Sequence, residues 1–197
     1  MPSHENAVSC VNWCSDTFAV TAADRCSSHA PFHFDLSILD IYLALKHGAT
    51  LVLIGDELGK DPQALAQLIA DRHLTVWYSA PSILTLLLQY GGLERLDLSA
   101  LRLVLFAGEV FAVKHLRALQ RLLPKPRYFN LYGPTETNVC TFYEVVGPVP
   151  EDRTEPYPIG RACSHLSTRV FDEGMAITAS GEEGELCVSG AGVMQGY

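Results

Sequence analysis

Phe129-Asn130-Leu131-Tyr132-Gly133-Pro134-Thr135-Glu136-Thr137-Asn138-Val139-Cys140-Thr141 is the stretch that decides the fold. The apolar run at 127–131 predicts a short strand, and the β-branched and aromatic pattern at 138–145 predicts another. Gly133 and Pro134 lie between them and predict a turn, because glycine tolerates positive φ and proline fixes its own φ. The sequence therefore places a tight turn between two strands.

Three residues with side-chain oxygens follow the turn: Thr135, Glu136 and Thr137. A glycine admits close approach of a ligand, hydroxyls donate to phosphate oxygens, and a carboxylate can hold Mg²⁺ beside them. The same residues also suit an ordinary polar turn in which Thr135 or Thr137 caps the next element. The residues alone thus leave a phosphate site and a structural turn as alternatives.

Apolar strands alternate with amphipathic helices on the amino-terminal side of this turn. The predicted strands lie at 50–54, 74–79 and 101–106, and a helical pattern follows each of them. This alternation predicts an α/β fold, with a mostly parallel sheet and helices on both faces. We assign this α/β part to residues 1–150.

The carboxyl-terminal part of the chain has a different pattern. Short β-like runs at 167–172 and 184–190 follow a turn at 157–161. They predict a small β-rich subdomain, antiparallel or barrel-like, over residues 151–197.

A single carboxylate, Asp35, interrupts an aromatic and apolar segment. Residues 31–34 are predicted as a strand end, and residues 36–47 as a helix that stops at Gly48 with basic residues in its last turn. Asp35 is suited to cap this helix. It is also suited to pair with the ammonium group of a substrate, because a buried and unpaired carboxylate is costly.

Ligands of parallel α/β sheets bind at the carboxyl ends of the strands. Asp35, Tyr78, Ala107, Gly108 and the turn at Gly133 all fall at the carboxyl ends of predicted strands. We therefore expect them to meet at one site.

Composition narrows the classes of function. The 197-residue chain has a formal net charge of −8 and a pI near 5.3, which argues against nucleic acid or an anionic membrane as the main partner. No apolar run approaches the ~20 residues that a membrane span needs. The six cysteines lack the spacing of a zinc site, so we expect reduced, mostly buried thiols in a cytoplasmic protein.

Tyr132-Gly133-Pro134-Thr135-Glu136-Thr137 resembles the core motif of the adenylate-forming enzymes, specifically the amino-acid adenylation domains of nonribosomal peptide synthesis. Further matches occur in the family's order at 3–6, 34–37, 158–161 and 184–197. The resemblance implies a part of the family's large N-terminal domain. It also implies a phosphate loop before this segment and a catalytic lysine after it, so we expect little adenylation activity from the segment alone.

The resemblance implies a ligase reaction. An amino acid carboxylate attacks the α-phosphate of ATP to give aminoacyl-AMP and pyrophosphate, and the acyl group then passes to a phosphopantetheine thiol on a carrier protein. By the same resemblance Thr135 and Glu136 are catalytic, with Thr135 on phosphate and Glu136 on Mg²⁺. The nucleotide-binding positions implied are Gly108, Glu109, Asn130, Tyr132, Gly133 and Thr135.

The resemblance also assigns an amino acid pocket, in which Asp35 meets the α-amino group. The positions that read the side chain are Leu36, Leu39, Tyr78, Leu105, Ala107, Leu131, Val139 and Cys140. This wall carries no charge besides Asp35, so a charged substrate side chain would be left unpaired and rejected. The set resembles that of stand-alone L-proline ligases that load a prolyl carrier protein.

Other interpretations stay open at this point. The chain also fits a ligase for another small amino acid such as D-alanine, or a non-catalytic binding module descended from such an enzyme. Taken singly, each pocket leucine also suits an ordinary core position. A fatty-acyl or CoA ligase fits less well, because Asp35 would then face no ammonium group.

Overall fold

A computed structural model describes residues 3–196. Met1, Pro2 and Tyr197 lie outside this range, and Tyr197 is the last residue of the match at 184–197. The helices are α1 (His4–Phe18), α2 (Leu36–His47), α3 (Asp56–Gly59), α4 (Pro62–Asp71), α5 (Pro81–Tyr90) and α6 (Val113–Leu122). The strands are β1 (Arg25–Ser28), β2 (Thr50–Leu53), β3 (Val76–Ser79), β4 (Leu103–Ala107), β5 (Arg127–Tyr132), β6 (Thr141–Val145), β7 (Arg161–Ala162), β8 (Leu166–Phe171) and β9 (Glu185–Gly190).

A seven-stranded sheet with the order β2-β1-β3-β4-β5-β6-β7 organises most of the chain. Strands β1 to β5 pair in parallel, and β6 and β7 extend the sheet in antiparallel pairing. Strands β8 and β9 form a separate two-stranded antiparallel sheet. The predicted α/β fold, followed by a small antiparallel part, is therefore confirmed.

Alternate side chains of the central strands face two separate cores, as expected for a sheet covered on both sides. Trp77, Val104 and Phe106 pack with residues of α4, α5 and α6. Tyr78 and Leu105 point the other way and pack with residues of α1 and α2. All five side chains are at most 1% exposed. Burial of each large apolar side chain contributes about 1.5–3 kcal/mol, so these two layers hold the sheet between the helices.

Several helix ends follow the sequence signals. The Ser3 hydroxyl accepts a hydrogen bond from the Asn6 N–H at 3.2 Å, and Asn6 Oδ1 accepts one from the Ser3 N–H at 2.6 Å, which caps α1. Helix α2 ends at Gly48, whose φ of 65° costs a glycine little. Asp61 caps α4, and Pro62 occupies its first position.

Two predicted strands are placed differently by the structure. Residues 31–34 form turns and not a strand end, so that prediction was wrong; the strand lies earlier, at β1, whose Arg-Cys-Ser-Ser sequence carries no apolar run. Asp35 consequently lies at the start of α2 and not at a strand end. The strand predicted at 138–145 begins only at Thr141, because residues 133–140 form the connection from β5.

Strand β7 adds residues beyond 150 to the large sheet, since it pairs with β6. The separate sheet begins at Leu166. The division of the chain at residue 150 stays a prediction.

Two expectations drawn from composition concern the state of the cysteines and the absence of a membrane span. All six cysteines are free thiols, and five of them are buried. Within residues 3–196, no helix is both long enough and apolar enough to cross a membrane.

Candidate functional site

The connection between β5 and β6 is closed by its own backbone. The Cys140 N–H donates to the Tyr132 carbonyl at 2.8 Å, and the Thr137 N–H donates to the Pro134 carbonyl at 3.0 Å. The Thr137 hydroxyl also donates to the Pro134 carbonyl at 3.3 Å, and Thr137 is 5% exposed. Thr137 therefore holds the turn together, whereas Thr135 is exposed at its surface.

Glu136 lies between these two threonines and is half-buried. Its backbone carbonyl accepts a hydrogen bond from the Met194 N–H at 2.8 Å, so the segment after β9 supports the turn. No group of three or more His, Cys, Asp or Glu able to hold a metal occurs in the part of the chain that the structure describes. Mg²⁺ usually takes only one or two carboxylates, together with waters and substrate phosphates. One carboxylate on this turn, that of Glu136, is therefore enough to be suited to Mg²⁺.

A cavity of about 480 Å³ lies beside the turn. Its lining includes five of the six positions predicted to bind nucleotide: Gly108, Glu109, Asn130, Tyr132 and Gly133. Tyr157, which sequence reasoning missed, also lines it, and the Arg153 guanidinium lies 4.0 Å from the centre of its ring. The only sequence signal for Tyr157 was its position next to the matching segment at 158–161. An aromatic face at a cavity wall is suited to stacking against a base.

A second cavity of about 240 Å³ adjoins the first, and Gly108 and Glu109 line both. Two residues of the predicted amino acid pocket, Leu36 and Ala107, also line the second cavity. Gly108 has a φ of 90°, a conformation that favours glycine at this junction. The two residues that follow β4 thus lie between the two cavities.

Two predicted nucleotide-binding side chains are engaged within the protein. The Glu109 carboxylate accepts hydrogen bonds from the N–H and the hydroxyl of Ser82 at 3.0 and 3.1 Å, which anchors the start of α5. Asn130 Nδ2 donates to the Pro158 carbonyl at 3.0 Å and holds the turn that carries Tyr157. Both side chains therefore shape the larger cavity through protein contacts.

Asp35 occupies the N-cap position of α2, yet its side chain makes no capping hydrogen bond. Its sequence neighbours Phe34 and Leu36 line the smaller cavity. Burial raises the pKa of the Tyr78 phenol, and the negative charges of Asp40 and Asp35 add to this effect. A half-buried carboxylate that does not cap its helix is suited to bind an ammonium group.

Most of the other predicted pocket residues are packed in the core. Leu39, Tyr78, Leu105, Leu131, Val139 and Cys140 are each at most 4% exposed. All of these except Cys140 belong to the hydrophobic cluster that α1 and α2 cover, and Leu131 also lines the larger cavity. Their burial agrees with the core alternative, and their contact with a substrate stays a prediction.

Sequence reasoning also missed two buried polar residues, Asn6 and Asp40. Asn6 Nδ2 donates to the Ala191 and Val193 carbonyls at 2.7 and 3.0 Å, which ties α1 to the segment that supports Glu136. Asp40 of α2 is 2% exposed; burial raises its pKa, and a hydrogen bond from the Ala30 backbone opposes that rise. No pattern in the sequence indicates a carboxylate buried this deeply.

Known proteins have sequences similar to that of this chain. Residues 1–197 match the family described as AMP-binding enzyme. The chain is 44% identical to an L-proline–[L-prolyl-carrier protein] ligase of Pseudomonas fluorescens over 195 residues, which is 99% of the chain and 39% of that relative. A ligase of the same description from Streptomyces coelicolor is 46% identical over 200 residues, 99% of the chain and 37% of that relative. A D-alanine–D-alanyl carrier protein ligase of Bacillus licheniformis is 32% identical over 196 residues, 99% of the chain and 39% of that relative.

Solved structures share the fold over the whole chain. The crystal structure of IdnL1 has a TM-score of 0.92 and 33% identity, with 100% of this chain and 40% of that chain covered. The adenylation domain AlmE of Vibrio cholerae, solved with glycyl-adenosine-5′-phosphate, has a TM-score of 0.87 and 29% identity, with 100% and 37% covered.

The mostly parallel sheet and the similarity to the solved adenylation domain AlmE show an α/β domain of the adenylation type. The chain belongs to the AMP-binding enzyme family. It spans 39% and 37% of the length of the two L-proline ligases that it matches.

Proposed function

We propose that this chain is the amino-acid-binding and nucleotide-binding part of an ATP-dependent ligase that activates an amino acid and loads it onto a carrier protein. The observation that carries the proposal is the pair of adjoining cavities that share Gly108 and Glu109. The larger cavity borders the turn that carries Thr135 and Glu136, and the smaller one borders both neighbours of Asp35. A nucleotide in one and an amino acid in the other would meet at the shared residues.

The reaction assigned to this site joins the two substrates directly. A carboxylate oxygen of the amino acid bonds to the α-phosphorus of ATP, and the bond to pyrophosphate breaks, which leaves aminoacyl-AMP. The exposed Thr135 hydroxyl would donate a hydrogen bond to a phosphate oxygen, and Glu136 would hold Mg²⁺. Mg²⁺ bound there supplies positive charge that offsets the charge of the phosphates.

Recognition of the amino acid is assigned to Asp35 and an apolar wall. The Asp35 carboxylate pairs with the substrate ammonium, a charge-assisted contact that fixes the end of the molecule that reacts. Leu36 and Ala107 line the smaller cavity with apolar side chains, and the Glu109 carboxylate that also lines it is engaged by the Ser82 N–H and hydroxyl. Such a wall leaves a charged or strongly polar side chain without partners, which disfavours its binding.

L-proline is the substrate that we favour. Two relatives described as L-proline–[L-prolyl-carrier protein] ligases are 44% and 46% identical to this chain. A proline ring suits an apolar cavity of about 240 Å³, and its secondary ammonium can still pair with Asp35. The descriptions of the same relatives support a carrier protein as the acceptor, which would receive the prolyl group on its phosphopantetheine thiol.

Exchange between ATP and pyrophosphate, measured for each amino acid, tests the proposal. The assay compares the chain itself with a graft in which it replaces the matching 39% of the Pseudomonas fluorescens ligase. The panel contains L-proline, D-alanine, L-alanine, valine and cysteine. We expect exchange by the graft to be highest with L-proline, and little exchange by the chain alone.

The possible outcomes separate the interpretations. A peak at D-alanine would replace L-proline as the substrate, which the 32% identity to a D-alanine ligase makes a specific second candidate. No exchange by a folded graft would reject the ligase function and leave a binding module. Strong proline-dependent exchange by the chain alone would contradict the expectation that further segments are needed.

A further inference from the structure

Asn138 bridges the turn and the start of α2. Its side-chain Nδ2 donates to the backbone carbonyl of Asp35 at 3.2 Å, across 103 positions of sequence. Its Oδ1 accepts hydrogen bonds from the Val139 N–H at 2.8 Å and from the Cys10 thiol at 3.6 Å. One amide therefore contacts the β5–β6 connection, α1 and α2.

The backbone of Asn138 is suited to this bridging position. Its φ of 54° lies in the left-handed region, which asparagine adopts more readily than most residues other than glycine. The Val139 N–H donates to the side-chain oxygen of Asn138, and this local hydrogen bond stabilises the conformation. The conformation directs the amide toward Asp35 at a point close to Thr135 and Glu136 in the chain.

The carbonyl that Asn138 contacts belongs to the first turn of α2. The Ile38 N–H donates to the same Asp35 carbonyl at 3.0 Å. Asn138 thus adds a second donor to that oxygen from outside the helix. Because the Asp35 side chain makes no capping bond, this bridge helps to fix the residue from which the carboxylate projects.

We propose that Asn138 is a positioning residue that sets the location of Asp35 relative to the Thr135-Glu136 turn. This inference rests on the function proposed above, in which Asp35 binds the ammonium group and the turn binds phosphate. The bridge then holds the two ends of the reacting pair at a fixed separation. A misplaced amine site weakens binding of the amino acid more than it weakens binding of ATP.

Asn138→Asp is the sharpest variant for a test. Aspartate has nearly the same shape, tolerates the left-handed conformation and keeps an oxygen for the Val139 N–H, but it has no donor for the Asp35 carbonyl. Asn138→Gly is the second variant, since glycine adopts the backbone conformation without any side chain. Asn12→Asp is the control, because Asn12 is an exposed amide of α1 that accepts from Lys46 Nζ at 2.7 Å.

Kinetics of the graft give the first measurement. Loss of one hydrogen bond is worth about 1 kcal/mol, so we expect the KM for L-proline to rise about fivefold in both Asn138 variants. The KM for ATP and the kcat should stay within about twofold, and Asn12→Asp should match the unchanged graft. An unaltered KM for L-proline in both variants, or equal rises for proline and ATP, would overturn the inference.

Amide hydrogen exchange of the chain itself gives the second measurement, which does not depend on catalysis. We expect the Ile38 N–H to exchange about fivefold faster in Asn138→Asp, while amides of α4 stay unchanged. Unchanged exchange at Ile38 would show that the bridge does not fix the start of α2, whatever the kinetics. If the unsubstituted graft has no exchange activity with any amino acid of the panel but Ile38 does respond, the bridge stands and the proposed function fails.

Discussion

A Cβ on Gly133 would lie 1.6 Å from the backbone carbonyl oxygen of Asn138. The backbone of the β5–β6 connection thus folds back onto this glycine and leaves no room for any other residue. Gly133 does not have a positive φ. Glycine is therefore required by the close approach of the Asn138 carbonyl, and not by the backbone conformation. Steric packing alone therefore explains the glycine of the motif, without any ligand.

Gly133→Ala is therefore expected to destabilise the protein by about 3 kcal/mol, the upper part of the usual range for overpacking. The Cys140 N–H bond to Tyr132 should be lost with it, because the connection must open. Urea unfolding measures the change. Gly55→Ala is the matched control, since a Cβ there meets nothing within 4 Å, and we expect less than about 0.5 kcal/mol. A change at Gly133 as small as the control's would contradict the steric explanation.

Asp35→Asn separates the capping role from the binding role of this carboxylate. Because the Asp35 side chain makes no capping hydrogen bond, we expect the free energy of unfolding to change by less than about 0.5 kcal/mol. In the graft, the KM for L-proline should rise at least tenfold, since a charge-assisted hydrogen bond contributes about 1.5–3 kcal/mol.

Asp61→Ala provides the opposite pattern. The Asp61 carboxylate accepts from the N–H groups of Gln63 and Ala64 at 3.0 and 3.1 Å, so its loss should cost about 1 kcal/mol of stability. The KM for L-proline should not change. If Asp35→Asn instead lowered stability as Asp61→Ala does and left that KM unchanged, Asp35 would be a structural residue.

The sequence predicted the sheet well where its strands are apolar. Runs such as Leu103–Ala107 are buried on both faces, so a continuous hydrophobic pattern marks them. Strand β1 escaped prediction because its Arg-Cys-Ser-Ser sequence has no such run. The aromatic residues at 31–34 misled the prediction, since Phe32 and Phe34 are 69% and 54% exposed.

Contacts between distant residues account for what the sequence left out of the site. Residues in the matching motif or at the end of a predicted strand, such as Tyr132 and Gly108, could be assigned from the sequence, and they line the larger cavity. The bonds of Asn6 to Ala191 and of Asn138 to Asp35 join segments that are far apart in the chain. No local period or turn signal encodes such pairs, because they arise only when the sheet brings the segments together.

Asp24 and Arg102 should make stability depend on acidic pH. Arg102 Nε and Nη2 each donate to the Asp24 carboxylate at 2.8 Å, and the Thr75 hydroxyl donates at 2.6 Å. Burial would raise the pKa of Asp24, but these hydrogen bonds outweigh it and hold the pKa well below its usual value of about 3.9. The unfolded chain therefore takes up a proton first as the pH falls.

The stabilisation from this pair is thus complete above about pH 5 and is lost as the pH falls below about 4. Asp24→Asn should cost about 2 kcal/mol at pH 7 and should flatten the fall in unfolding free energy between pH 5 and 3. Urea unfolding across this range measures both effects. A parallel shift of the whole curve, with an unchanged slope, would show that Asp24 does not titrate as argued.

His165 should add a second pH dependence at milder acidity. Both of its ring nitrogens are buried without a hydrogen-bond partner among residues 3–196, next to the Trp13 ring and close to Gly192. Burial lowers the pKa of this imidazole, so the folded protein holds it neutral while the unfolded chain becomes protonated below about pH 6.5. Stability therefore falls as the pH drops through that value.

His165→Leu replaces the ring with an apolar group of similar volume and removes this titration. We expect the slope of unfolding free energy between pH 6.5 and 5.5 to fall by as much as about 1 kcal/mol per pH unit. Burial also lowers the pKa of His29, so part of the slope should remain and should be removed in turn by His29→Leu. His4→Gln, a change of an exposed histidine on α1, should leave the slope as it was. A slope unaffected by His165→Leu would contradict this explanation, because it would show that burial does not keep the His165 imidazole neutral in the folded protein.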